Sequence, residues 1–391
     1  MRAYARKLLL RLKEAFRHGD WVLLTLCMVA TAFGCLVIAS ATSYMGSLRH
    51  ILVQVGAAVI GILLFFLVSS VDVDVFSEHR RGLVIFNIVL LFMLIPFGVT
   101  VNGNRSWVSL PILPFNIQVA EICKISYILI TASVMNAHQN RISHVNSVFH
   151  VGMHLALIMG LNILISGDAG VSLIFFFIFV GMAYSGGVNY LWFLGALAAG
   201  IFVAPFVYKF VLGDYQKLRI EVLFNPDLDP LGVGPRYHTV RSLRSLTGGG
   251  MTGQGLFNGH RTQAGALFAQ HTDYVFSAIG EELGYLGCIF VLVLLFAIVA
   301  RCIWVGMKSP DYMRRLVCFG AASAMIFQII VNVGMCIGVM PVIGLTLPFI
   351  SYGGSSIVST FLMLGLVSGV YARPKSTSHE RYIRPPQLYM D

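Results

Sequence analysis

The sequence predicts an all-α polytopic membrane protein, with about ten transmembrane helices and one long extracytoplasmic loop between helices 7 and 8. Three observations carry that reading. Of its 391 residues, 57% are hydrophobic and only 11% charged, with a mean hydropathy of +0.80; a soluble domain is nearer half apolar and a quarter charged. Apolar runs of about 17–27 residues recur along the chain, long enough to cross a hydrocarbon core of about 30 Å. The 27 Lys and Arg are also unevenly placed: 17 fall in segments on one face, while the short loops of the other hold two, Arg49 and Arg105. Such a bias in short loops sets orientation and places both termini in the cytoplasm. The net charge of +10 is therefore topological, and no nucleic-acid partner is expected.

The elements follow in order. Residues 2–19, RAYARKLLLRLKEAFRHG, mix Leu8, Leu9, Leu12 and Phe16 with six basic residues. They suit a cytoplasmic amphipathic segment (1–20) lying on the anionic inner leaflet. Ala39-Ser40-Ala41 resembles a signal-peptidase site, but the run before it is too long for a signal core, so the first span is retained. The spans read as roughly 21–42, 50–69, 82–100, 117–137, 147–165, 169–185, 189–211, 274–300, 314–336 and 347–371, followed by a cytoplasmic tail from 372 to 391. Only Ser166-Gly167-Asp168 separates the fifth from the sixth, so one broken span is the alternative there. The segment 212–273 contains NPDLDPLGVGP (225–235) and TGGGMTGQG (247–255); loops this long without regular patterning are usually functional. No part is large enough to fold alone, so 1–391 reads as a single membrane domain. The seven cysteines are scattered without a CxxC, which shows no disulfide or metal framework.

Chemistry must come from the few charged residues near the spans. HTDYVFSAIGEELG (271–284) places Asp273, Glu281 and Glu282 where the long loop meets the eighth span. Asp273 suits a helix N-cap. It equally suits a general base for an acceptor hydroxyl, provided burial raises its pKa from the usual value near 3.9. On one helix Asp273 and Glu281 would be about 12 Å apart in rise, a poor hydrolytic pair. With His271, Asp273 could instead hold a divalent cation. Glu121 and Lys124 share one face of the fourth span, as an internal ion pair or as a functional pair. Asp168 reads as a turn or cap or, like them, as a site candidate. In GNRSW (103–107), Arg105 beside Trp107 is either part of an interfacial belt or a grip on phosphate. Arg219, Arg241, Arg244 and Arg261 add cationic reach, and the TGGG glycines would let backbone N–H groups approach an anion. The run 332–356 places Pro341, Pro348, Gly344, Gly353 and Gly354 at the last span, implying broken backbone that lines a cavity.

Together, and in order, these motifs resemble the SEDS family of bacterial cell-wall membrane proteins. HTDYVFSAIGEELG is similar, almost position for position, to the family's HTDF-x-F-x-x-x-x-EELG. FNPDLDPLGVG resembles its outside loop. GNRSW and Gln118-x-x-Glu121-x-x-Lys124 resemble G-x-x-R-W and Q-P-S-E-x-x-K, and Asp168-Ala169-Gly170 resembles P-D-L-G-T. MPVIGLTLP and SYGGSS, which includes Ser351, resemble its C-terminal signature. The resemblance covers nearly the whole chain. It implies a peptidoglycan glycosyltransferase that polymerises lipid II at the outer face of the bacterial cytoplasmic membrane. Asp273 would be the general base, taking the proton from the acceptor GlcNAc 4-hydroxyl, which attacks MurNAc C1 with inversion and releases undecaprenyl pyrophosphate. Arg105, Glu121, Lys124, Asp168, Arg219, Arg241, His271 and Ser351 are the residues expected to bind substrate. The leaving pyrophosphate needs positive charge, from arginines or a divalent cation, Mg or Mn; no other cofactor is expected.

The implied partners are a class B penicillin-binding protein, supplying the transpeptidase, and membrane proteins of the elongation machinery. Asp20-Trp21 and NVGM…MPV favour an elongation-type member, whereas Leu345-Thr346-Leu347-Pro348 leans toward a division-type one. Some positions depart from the family pattern. Leu267-Phe268-Ala269 stands where L-P-E is usual, Ser106 replaces the Arg before Trp, Arg241 replaces a Gln, and Gln254 replaces a Lys. These imply altered donor contacts or partner dependence in an active member. A lipid II flippase, and a scaffold that only activates a penicillin-binding partner, are the competing readings.

Overall fold

The computed structural model describes residues 13–373 apart from 15, 102, 112–114, 211–212, 231 and 268. Most of the amphipathic segment and the tail from 374 onward lie outside the described residues. Ten apolar helices follow in order: α1 Trp21–Ala41, α2 Arg49–Ser69, α3 Arg80–Phe97, α4 Val119–Ala137, α5 Val145–Ser166, α6 Ala169–Ser185, α7 Tyr190–Phe210, α8 Val275–Lys308, α9 Tyr312–Cys336 and α10 Gly354–Ala372. All but α6 have the length and hydropathy to cross a membrane, and α6, with 17 residues, sits at the lower limit. The fifth and sixth spans are separate helices. Gly167 ends α5 in the left-handed region, at φ 74°, and the Asp168 side chain caps α6 by accepting from the Val171 N–H at 3.0 Å.

The bundle is organised around α4, α9 and α10. In α4, 89% of the apolar window is buried, against none of it in α7, so α7 lies at the edge. Helix α10 packs closely on α2 because Gly365 and Gly369 replace side chains at the crossing. A Cβ on Gly365 would come within 2.7 Å of the Phe65 carbonyl oxygen, the small-xxx-small arrangement that lets membrane helices approach. At the end opposite the long loop, Asp20 caps α1 through the Leu23 N–H and is gripped by Arg301 of α8 at 2.9 Å.

Three features depart from the sequence reading. After Pro96 the chain leaves α3 and forms a small antiparallel sheet of β1 Gly98–Val101, β2 Asn104–Val108 and β3 Ile117–Gln118, with Trp107 opposite both Val99 and Gln118. The 212–273 segment is not patternless: it contains helices at Asp214–Phe224, Tyr237–Gly249 and His260–Gln263. Its polar sequence hides them, because their buried faces are made largely of Thr and Ser, such as Thr239, Ser242 and Ser245. Third, α8 extends to Lys308 and is broken at Gly284, whose φ of 67° only glycine adopts readily. The TGGGMTGQG run fills that break. The Gln254 and Gly255 N–H groups donate to the Glu281 and Glu282 carbonyls at 3.0 and 2.9 Å, while Tyr285 and Leu286 donate to Gly250 and Met251 at 2.9 and 3.2 Å. These glycines serve close backbone packing, with Gly253 too near the Glu282 carbonyl to accept a Cβ, and form no anion nest in the cavity.

Candidate active site

All connections between odd and following even helices emerge at one end of the bundle, and there they enclose a cavity of about 780 Å³. Arg49 enters from α2, Asn104 and Trp107 from the small sheet, and Glu121 from the first turn of α4. Asp168 comes from the α5–α6 connection, Arg219 and His238 from the long loop, and Tyr352 from the segment before α10. Asp273 lies among them.

Three successive carbonyls fix the Asp273 backbone. The Tyr352 N–H donates to the His271 oxygen at 2.7 Å. The Ser351 hydroxyl donates to Thr272 at 2.6 Å, and Asn332 Nδ2 donates to Asp273 at 2.9 Å. Asn332 also holds the Leu345 carbonyl at 2.7 Å, and so ties α9, the 345–352 segment and the HTD tripeptide together. Tyr274, not Asp273, is the N-cap of α8, and no side chain caps it. The capping reading of Asp273 is thereby overturned: its carboxylate faces the cavity near Gly344, where a Cβ would lie 3.7 Å from Oδ2. No hydrogen bond from the described residues reaches that carboxylate. The residue is half-buried, and desolvation by the surrounding protein pushes the carboxyl up to about 6. Only the ionised form carries charge into the low-dielectric site, so desolvation penalises it.

The structure therefore brings Glu121, Asp168, Arg219 and Asp273 to one cavity. It does not bring the other predicted residues to the wall. Arg105 turns back across the hairpin to the Gly98 carbonyl at 3.3 Å. Lys124 is buried beneath Glu121, at 2.7 Å from its Oε2, and Ser359 also donates to that oxygen. Arg241 stacks on the Tyr237 ring at 4.2 Å and donates to the Ala266 carbonyl. Ser351 is committed to the Thr272 strap. His271 packs between His50 and Tyr352, with ring centroids 5.2 and 5.6 Å away. Burial, reinforced by His50, pushes it down to about 4, so it is neutral and forms no cation pair with Asp273. Among the described residues, no three His, Cys, Asp or Glu side chains group to hold a metal.

Asp168 serves both as cap and as wall. Burial pushes its carboxyl up, partly offset by hydrogen bonds from Val171 and Ser106. Ser106, standing where the family pattern has Arg, donates to Asp168 at 3.3 Å. Arg49, His238 and Tyr352 were not among the predicted contacts. Arg49 was visible as one of only two cations in the short loops, and Tyr352 within SYGGSS; nothing near His238 in the sequence marks it.

Fold and site together define a multi-pass membrane protein enclosing a polar cavity around a half-buried carboxylate that has no hydrogen-bond partner among the described residues. The family model for the cell cycle proteins FtsW, RodA and SpoVE matches residues 20–376, and the chain belongs to this family, the SEDS family of the sequence motifs. It is 28% identical over 366 residues to the peptidoglycan glycosyltransferase MrdB of Escherichia coli (strain K12), covering 92% of this chain and 95% of that one. It is 30% identical over 372 residues to the probable peptidoglycan glycosyltransferase FtsW of Trichlorobacter lovleyi, covering 92% and 96%. Among solved structures, a chain described under structural coordination of polymerization and crosslinking by a peptidoglycan synthase complex superposes with a TM-score of 0.78, 28% identity and coverage of 94% and 99%.

Proposed function

We propose that this chain is a peptidoglycan glycosyltransferase that polymerises lipid II, with Asp273 as its general base. The observation that carries the reading is a single carboxylate, unpartnered among the described residues and half-buried in a polar cavity, with its pKa raised to about 6. A base must bind a proton in the transition state and still be ionised at working pH, and a pKa just below neutrality meets both demands. Asp273 takes the proton from the 4-hydroxyl of the acceptor GlcNAc. The oxygen forms its bond to MurNAc C1 as the bond from C1 to the pyrophosphate oxygen breaks, which inverts C1 and releases undecaprenyl pyrophosphate. Arg49 and Arg219, on the cavity wall, supply positive charge for the leaving group. A divalent cation, Mg or Mn, bridging the pyrophosphate and a cavity carboxylate would add to this charge.

The bias of basic residues supports the orientation in which the cavity and the 212–273 segment face outside and both termini lie inside. Relatives named both MrdB and FtsW match at similar identity, and Asp20-Trp21 with NVGM…MPV favours the elongation role. A class B penicillin-binding protein is the partner this reading requires, together with membrane proteins of the elongation machinery. The test is to incubate the purified protein, with its partner, with fluorescent lipid II, comparing wild type with Asp273→Ala. Loss of polymer in the variant supports the assignment; normal polymer in Asp273→Ala sinks it. Passage of labelled lipid across vesicles without polymer would make the chain a flippase instead, and polymer made only by the partner would make it a scaffold.

A further inference from the structure

On the cavity wall stands a deeply buried polar side chain with no role in anything described so far. Gln328 lies inside α9, one turn before Asn332 and therefore about 6 Å further into the bundle than the residue that straps Asp273. It is 1% exposed, yet it forms part of the cavity wall. Its Oε1 has no hydrogen-bond partner among the described residues, and its amide nitrogen donates to none of them. The other buried glutamines differ at their nitrogens, although Gln270 Oε1, like Asn332 Oδ1, also has no partner among the described residues. Gln54 donates to the Ser351 carbonyl at 3.0 Å and accepts from the Gly353 N–H at 3.1 Å. Gln270 donates to the Ala41 and Thr262 carbonyls at 2.7 and 2.8 Å. An unpaired amide within a membrane span is costly.

We infer that Gln328 is a specificity-determining residue that reads the 2-acetamido group of the sugar bonded to the pyrophosphate. The inference rests on the glycosyltransferase reading and deepens it. Three polar groups of such a substrate could reach this depth. Pyrophosphate oxygens only accept hydrogen bonds, so they would satisfy the amide nitrogen and leave Oε1 orphaned. A single hydroxyl can donate to Oε1 or accept from the amide nitrogen, but meets both ends at once only through strongly bent bonds. An acetamido group carries a carbonyl acceptor and an N–H donor side by side, matching both ends of the glutamine amide. On the sugar that carries the pyrophosphate at C1, this group sits on the adjacent carbon, next to the bond that breaks. Binding then removes two unsatisfied groups at once, and a substrate lacking the acetyl leaves them stranded.

The experiment compares lipid II with its counterpart N-deacetylated on the pyrophosphate-bearing sugar, in wild type and in Gln328→Met, which keeps volume and removes both polar atoms. Wild type is expected to prefer the acetylated substrate in kcat/KM, and Gln328→Met to shrink that preference by about tenfold, mainly through the acetylated substrate. An unchanged ratio of the two substrates overturns the inference, whatever happens to absolute activity. If Gln328→Met fails to fold, Gln328→Glu is read in the same way, since it retains size but loses the donor. Equal use of both substrates by wild type also overturns it, while leaving the polymerase reading intact. If wild type polymerises neither, both fall together.

Discussion

Asp273 and the Glu281–Glu282 pair belong to one fourteen-residue motif, yet the protein treats them in opposite ways. The glutamates are fully buried, while Asp273 is half-buried and opens on the cavity. Glu281 accepts from the Arg261 N–H at 2.9 Å and from the Thr262 N–H and hydroxyl at 2.9 and 2.7 Å. Glu282 accepts from Ser40 at 2.7 Å and Gln263 at 2.8 Å. Asp273 has no such donors, and its surroundings penalise its charge instead. The lesson is that the more deeply buried acids are the structural ones; the supply of donors, not the depth of burial, separates them from the reactive one. A carboxylate with its lone pairs occupied anchors the long loop to α8 and α1, whereas one left short of donors keeps its affinity for a proton.

The sharpest way to break this contrast is Asp273→Asn. Polymerisation should fall by about 10²–10⁴-fold, the range for a lost general base, while the melting temperature in detergent is unchanged or higher. A variant that loses activity and stability together would place Asp273 with the structural acids. Next in size is Lys124→Ala, which strands the buried Glu121 charge. It should cost about 3–5 kcal/mol of stability, and denaturant unfolding that matches wild type would remove the pair from the structural class. Glu281→Ala should cost about 1–3 kcal/mol for each donor it leaves unpaired. It should loosen the loop, seen as faster proteolysis between 212 and 273, with protease resistance equal to wild type as the contrary result.

The smallest effect is in pH dependence, where the sign is specific. The carboxyl of Asp273 stands at about 6 in the fold against an ordinary 3.8. Catalysis needs the ionised form, so kcat/KM should fall as pH drops below about 6. Because the folded state holds this proton more tightly than the unfolded chain, the contribution to stability runs the other way. It is fully destabilising above about 6 and is relieved as pH falls from about 6 toward 3.8. Asp273→Asn should abolish this component of the stability profile. A variant with the same pH-dependent stability as wild type would show that another group carries it.

The spans were legible because hydropathy and length are local properties, and Asp273 because so few charges compete with it. Roles set by the direction of a side chain were not. Arg105 and Arg241 read as phosphate grips by charge, yet backbone carbonyls within reach claim both guanidiniums. Ser351 and His271 sit beside the right residue but act through its backbone or away from the cavity. Arg49 shows the converse: the loop count noticed it, and only the packing of α2 against the last span turned it to the wall. The helices of the long loop escaped because their overall polarity and the runs of Gly, Pro and Asn around them read as turns; Tyr237–Gly249 is amphipathic, but its fully buried positions are Thr239, Ser242, Ser245 and Gly249.

The break at Gly284 also bears on how the protein is made. When α8 first enters the bilayer, its broken turn has peptide groups that no residue within the helix can satisfy, and lipid offers them nothing. Their partners, Gly250 through Gly255, lie upstream and, in the proposed orientation, cross to the far side first. The last stage of assembly must therefore bring a translocated turn back against a helix that is already inserted. A Gly253→Ala chain should accumulate as a fully inserted species that never matures.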